Sequence, residues 1–172
     1  AQANSGFVIT VEPRDFPSTD VMAGVELQED IESKAFQAVT AAGGQKFSAP
    51  AQRLHEFLGR ETQTDFPPNS YPLPLTRVPF EEFMPANILD PIREGLAALL
   101  ERFPLLDNAE AIITGPESRS SSPLRISRDI DFESTSIKGV YPMGEGAGYA
   151  GGILSAALDG MHSVEHWGSS QD

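Results

Sequence analysis

Apolar residues recur along the chain at two periods, and the switches between them mark out its elements. The first run, "GFVITVE" at 6–12, has the β-branched and aromatic content of a buried strand and is stopped by Pro13 and Pro17. Ser18, Thr19 and Asp20 offer N-caps to a helix predicted over 21–39, where Val25, Leu27, Ile31, Ala35, Phe36 and Val39 follow helical spacing until "AAGGQ" closes it. A short helix is predicted over 49–58 with Leu54, Phe57 and Leu58 inward. The proline-rich "TQTDFPPNSYPLPLTRVP" at 62–79 follows as a covering loop or linker. The clearest stripe belongs to "NILDPIREGLAALLERF" at 87–103, where Ile88, Ile92, Leu96, Leu99, Leu100 and Phe103 fall on one side and charge on the other, until Pro104 ends it. The period then shortens. Strands are predicted at 109–115, 123–127 and 136–143, and a last helix at 151–167 places Ile153, Ala157, Met161 and Val164 on one face. Strands and helices do not alternate regularly and no repeat is visible, so the class expected is α+β.

Between the last strand and the last helix stands "GVYPMGEGAGYAGGILSAALDG", residues 139–160. Gly146, Gly148 and Gly151 satisfy GxGxxG, a spacing in which a bare backbone lets a diphosphate approach a helix start, where free N–H groups and the dipole favour negative charge. A flexible linker and tight strand-to-helix packing without a ligand are the other readings of such a run. A dinucleotide-binding unit would also need a second parallel strand after the helix, and the chain ends shortly beyond it. Glu145 favours a ligand. Beside phosphate-seeking amides a carboxylate suits the hydroxyls of a sugar-like chain, so the pairing points to a ligand with a hydroxylated chain next to its phosphates.

Composition narrows the alternatives. Twelve basic against 25 acidic residues give a net charge of −13, and no basic cluster is available to follow a nucleic-acid backbone or an anionic lipid surface. Without cysteine there is no disulfide, thiolate zinc site or thiol nucleophile. No apolar run approaches the ~20 residues that cross a bilayer. A soluble, cytoplasmic protein without nucleic-acid or membrane partners is the expectation. The opening "AQANSGFVITVEP" enters a strand-like run with no initiator methionine, which predicts a piece of a longer polypeptide or removal of a short leader.

The 139–160 stretch resembles the C-terminal motif of poorly characterised bacterial FAD-dependent dehydrogenases, relatives of the glutathione-reductase-like flavoproteins. "ANSGFVITVEP" near the start and "TGPESRSSSPLRISRD" at 114–129 are similar to two further stretches of that family. The resemblance implies a fragment that combines part of an inserted substrate or cap domain, residues 1–108, with the C-terminal strand-helix return of a Rossmann-like FAD-binding domain, residues 109–172. It implies FAD as cofactor, with Glu145 on the ribityl chain, Gly144, Gly146 and Ala147 on the pyrophosphate side, and Gly148, Tyr149, Ala150, Gly151, Gly152 and Ile153 bringing the helix start to the pyrimidine edge of the flavin. Arg119, Ser120, Ser121 and Ser122 become flavin- or substrate-proximal donors, a solvated serine-rich turn with an arginine on the surface being the other reading of that run, while Arg125 and Arg128 read as surface charges. The partner implied is a missing N-terminal FAD-binding domain, without which the piece would be inactive and hold FAD at most feebly. Its docking surface, if exposed, could form a homodimer. The substrate is a small molecule of unknown identity, and no catalytic acid or base is assigned.

A rival pattern lies in the last helix. "HSVEH" at 162–166 matches HxxEH, in which two histidines one turn apart bind zinc and a glutamate acts as base, but a third ligand is lacking and no metal site is expected. His55 is expected to be solvated or hydrogen-bonded. A noncatalytic interaction module is the other alternative.

Overall fold

In a computed structural model of the chain, residues 2–60 and 65–169 are described, and the opening three residues of the proline-rich stretch and the tail after residue 169 lie outside them. The described elements are α1 (Ala23–Ala41), β1 (Ala49–Arg53), α2 (Leu54–Phe57), β2 (Leu75–Arg77), α3 (Ala86–Arg102), β3 (Ile112–Thr114) and α4 (Ile153–Ser169), with short 3-10 turns between them. This is a small α+β fold. Two compact units divide it, one made of Ala1–Pro17 and Leu27–Ser118, the other of Ser18–Glu26 and Arg119–Asp172.

The first unit is built on a mixed sheet of order β2-β1-β3, parallel between β1 and β2 and antiparallel between β1 and β3. The stretch 49–58 that reads as one helix is therefore a strand followed by a single helical turn. Pro50 and weak β-formers hide the strand in the sequence, and it exists because both of its edges are paired. The Pro50 carbonyl accepts from Gly115 N–H, and the Ala51 carbonyl accepts from Val78 N–H at 3.2 Å. β2 lies inside the proline-rich run, where Leu75–Arg77 is too short and too closely flanked by proline to announce itself. The opposite error occurs at 6–12. That run carries strand composition but has no ladder partner among the described residues and remains outside the sheet.

Ile31, Ala35, Ala38 and Val39 of α1 pack with Phe57, Val78, Phe80, Phe83, Ile88 and Leu89 to form the core. Phe36, expected on the inward stripe, is instead exposed. It lies ~100° around the helix from Ala35, and the face centred on Ile31, Ala35 and Val39 leaves it outside. Phe57 meets Phe80 edge-on at 5.3 Å and Phe80 meets Phe83 at 4.9 Å. Arg93 of α3 ties this cluster to the surface, donating to the Phe57 carbonyl at 2.8 Å and pairing with Glu81. Gln52 is the buried polar member of the unit, and its side-chain oxygen accepts the Phe80 N–H at 3.0 Å. Gln52→Leu should therefore cost about 1–3 kcal/mol by stranding a buried donor. Urea unfolding followed by far-UV dichroism would measure it, and an unchanged midpoint would contradict the role given to Gln52.

Candidate functional site

The second unit is organised around α4. Its start is prepared by 139–152, but residues 136–143 are bends and turns as far as 139 and irregular beyond, not the strand expected, and 123–127 likewise joins no ladder among the described residues. Among the described residues of this unit the pairing is limited to an isolated bridge between Arg128 and Ser134. A strand needs a neighbour to take up its N–H and C=O groups, and among the described residues no second strand lies alongside.

The glycine run is a compact turn in which Gly148 N–H donates to the Glu145 carbonyl at 2.9 Å and Tyr149 N–H to the Gly144 carbonyl at 3.1 Å. Two of its glycines are demanded by this turn itself. Gly144 and Gly148 have φ of +72° and +81°, and a Cβ on Gly148 would fall 2.4 Å from the Leu124 carbonyl oxygen. Gly146 and Gly151 differ: both are exposed, neither is left-handed, and a Cβ on either would meet nothing within 4 Å. Nothing in the chain's own packing requires glycine at those two positions.

The structure brings the two candidate stretches together. Ile126 N–H donates to the Ala147 carbonyl at 3.1 Å, Arg125 Nε to the Gly148 carbonyl at 3.0 Å, and the Ser122 hydroxyl lies 2.9 Å from the Leu124 carbonyl and 3.3 Å from that of Gly146. Tyr149 locks the same join, its hydroxyl donating to the Ile126 carbonyl and accepting from Arg128 N–H. Ala147 is buried, Glu145, Tyr149, Ala150 and Gly152 are half-buried, and Ile153 is exposed at the first position of α4. Arg119, Ser120 and Ser121 are exposed at the far end of the 119–128 segment. The first amides of α4 have no carbonyl one turn back to bond, so its start presents donors.

Arg128 is no surface charge. Its side chain is 11% exposed, pairs with Asp159 of α4 at 2.6 Å and 2.9 Å, donates to the Pro142 carbonyl and stacks 3.7 Å over the Tyr149 ring. Asp159 in turn accepts Gly144 N–H at 2.8 Å. Neither residue stands out by motif. The available signal was a lone carboxylate in the otherwise apolar and small run "SAALDGM", two turns into the helix.

The hydrogen bonds from Arg128 hold the Asp159 carboxyl below the usual carboxylate range; partial burial opposes them, and the Gly144 N–H and the Arg128 charge add to them. Two of the three histidines are bonded to carboxylates, His166 to Asp131 at 2.8 Å and His55 to Asp107 at 2.7 Å. Among the described residues no three His, Cys, Asp or Glu side chains are grouped to hold a metal, and HxxEH gains no third ligand. No described helix is long and apolar enough to cross a membrane.

A family model described as "FAD-dependent protein, C-terminal domain-like" matches residues 1–120. The chain belongs to this family. It is a C-terminal part of an FAD-dependent protein, and the match ends close to where the first unit ends and before the glycine turn. An uncharacterized protein of Clostridium beijerinckii is 36% identical over 166 residues, which cover 95% of this chain and 30% of that relative. The chain thus spans less than a third of the length of the curated relative it matches.

Two outcomes check the site's construction. Gly148→Ala should destabilise the second unit by more than ~1 kcal/mol, whereas Gly146→Ala should stay within ~0.5 kcal/mol, because only the first has both a left-handed φ and a carbonyl in the way. Denaturant titration read at Trp167, the sole tryptophan, would separate them, and equal losses would contradict the assignment. The second concerns acid. A carboxyl lowered in the folded state stabilises above its unfolded value of ~3.9 and loses that contribution as pH falls through the lowered folded value. Asp159→Asn should therefore weaken the unit at neutral pH and flatten its loss of stability below about pH 4, and identical acid limbs in the two proteins would refute the pairing.

Proposed function

We propose that the chain is the C-terminal portion of a flavin-dependent oxidoreductase of the dehydrogenase type, related to the glutathione-reductase-like flavoproteins. In this reading residues 1–108 belong to an inserted substrate or cap region, and residues 109–172 return to a Rossmann-like FAD-binding domain whose sheet lies elsewhere in the polypeptide. The reading is supported by family membership and carried by one observation: Gly146 and Gly151 are bare, exposed and sterically unrequired at the start of a long helix. A backbone kept open where its own fold has no use for openness suits a flat ligand and its phosphates.

The residues divide the work. Gly144, Gly146 and Ala147 would offer backbone to the pyrophosphate side of FAD, and Glu145 would accept from ribityl hydroxyls. Gly148 through Ile153 would bring the start of α4 to the pyrimidine edge, where free amides and the dipole hold negative charge. Bound FAD supplies the two-electron chemistry itself. Ser122 steadies the turn through the Gly146 and Leu124 carbonyls. Arg119, Ser120 and Ser121 would serve as donors toward the flavin or an anionic substrate.

Gly146→Val and Gly151→Val in the complete gene product should weaken FAD binding about tenfold or more while leaving the thermal midpoint unchanged. Equilibrium dialysis against FAD reads this, and undiminished affinity in both variants would remove the proposed contacts. The 172-residue chain alone should bind FAD only feebly in a flavin-fluorescence titration. Submicromolar affinity there would show that no other region is needed.

A further inference from the structure

α4 is built inside out. The side it turns toward its own unit consists of Ala156, Asp159, Gly160 and Ser163: Ser163 is 2% exposed, and the Cβ position of Gly160 lies 3.7 Å from Met143 Sδ. The opposite side carries Ile153, Leu154, Leu158, Met161 and Val164, with exposures of 91%, 79%, 52%, 57% and 62%. At ~100° per residue these five positions fall within one continuous face. Three turns of contiguous aliphatic surface exceed the scattered apolar residues of an ordinary water-facing surface. The face that the periodicity predicts to be inward is thus the one that this chain leaves uncovered.

We propose that this outer face of α4 is the surface on which the remainder of the same FAD-dependent polypeptide docks, an inference that rests on reading the chain as the C-terminal portion of a longer flavoprotein. Two observations favour that occupant. The relative extends far beyond the matched part, which is 30% of its length, so a covalently linked partner is present at high effective concentration. The face also begins at Ile153 and Leu154, directly after Gly151 and Gly152. A region that meets a cofactor at the glycine turn therefore arrives beside this face. A second copy is the poorer occupant, because each chain carries a net charge of −13 and pairing two opposes like charge with like.

The test is cysteine footprinting of the complete gene product. Met161→Cys and Val164→Cys are each labelled with a maleimide in native buffer and in denaturant, with the modified peptide identified by mass spectrometry. This chain has no cysteine of its own, so the signal at each position is the installed thiol. Docking predicts native labelling at least about tenfold slower than in denaturant at both positions, independent of protein concentration. Native rates close to the denatured ones overturn the proposal, and so does protection that disappears on dilution, which assigns the face to a second copy. Flavin content read by absorbance on the same samples separates the two claims. Protected but flavin-free protein sinks the FAD reading and keeps the docking face; flavin-bound protein with freely labelled cysteines does the reverse.

Discussion

The second unit depends on one ion pair. Arg128 and Asp159 join a loop to the middle of α4, and through the Gly144 N–H the same carboxylate fixes the first left-handed glycine of the turn. Among the described residues this unit has no sheet and only an isolated bridge, so the start of α4 is positioned by side-chain bonds together with the backbone bonds of the turn. Both partners are partly shielded, at 11% and 15% side-chain exposure, so the pair is screened less than a fully exposed bridge. Removing one partner would leave the other's hydrogen bonds unmet, so breaking the pair costs more than its net contribution.

That construction explains how an acidic chain is compatible with a phosphate-bearing cofactor. Arg128 is committed to Asp159, Arg93 to Glu81, Arg77 to Glu56 and Arg60 to Asp107. On the proposed reading phosphate meets backbone amides in place of arginine, and glycines without side chains permit the approach. The same logic separates the glycines by role: Gly144 and Gly148 make the turn possible, while Gly146 and Gly151 keep its surface open.

The long helices were legible in the sequence because twelve or more residues average out local exceptions, and α1, α3 and α4 all lie close to their predicted spans. Leu54 and Phe57 were also correctly placed inward, even though the strand before them was read as helix. Strands were less legible: the one read at 109–115 is present as β3, Ile112–Thr114, and the rest were misread for a consistent reason. β1 contains proline and weak strand formers yet is paired on both edges, while 6–12, 123–127 and 136–143 have strand-like composition and no ladder. Pairing is a property of neighbours, which the composition of a segment does not show. In the candidate site the glycine turn was found by motif and Arg119, Ser120, Ser121 and Ser122 by resemblance, and Ser122 bonds the turn; Arg128, read as a surface charge, and Asp159 were missed because neither belongs to a motif and their partnership spans 31 positions.

On the proposed reading the exposed backbone at the start of α4 serves a flavin held jointly with the rest of the polypeptide. The most direct measurement of that role is the visible absorption spectrum of the complete gene product after saturation with FAD and removal of free cofactor by gel filtration. A retained flavin band near one equivalent per chain is the expected result, and a folded protein that elutes colourless would contradict it.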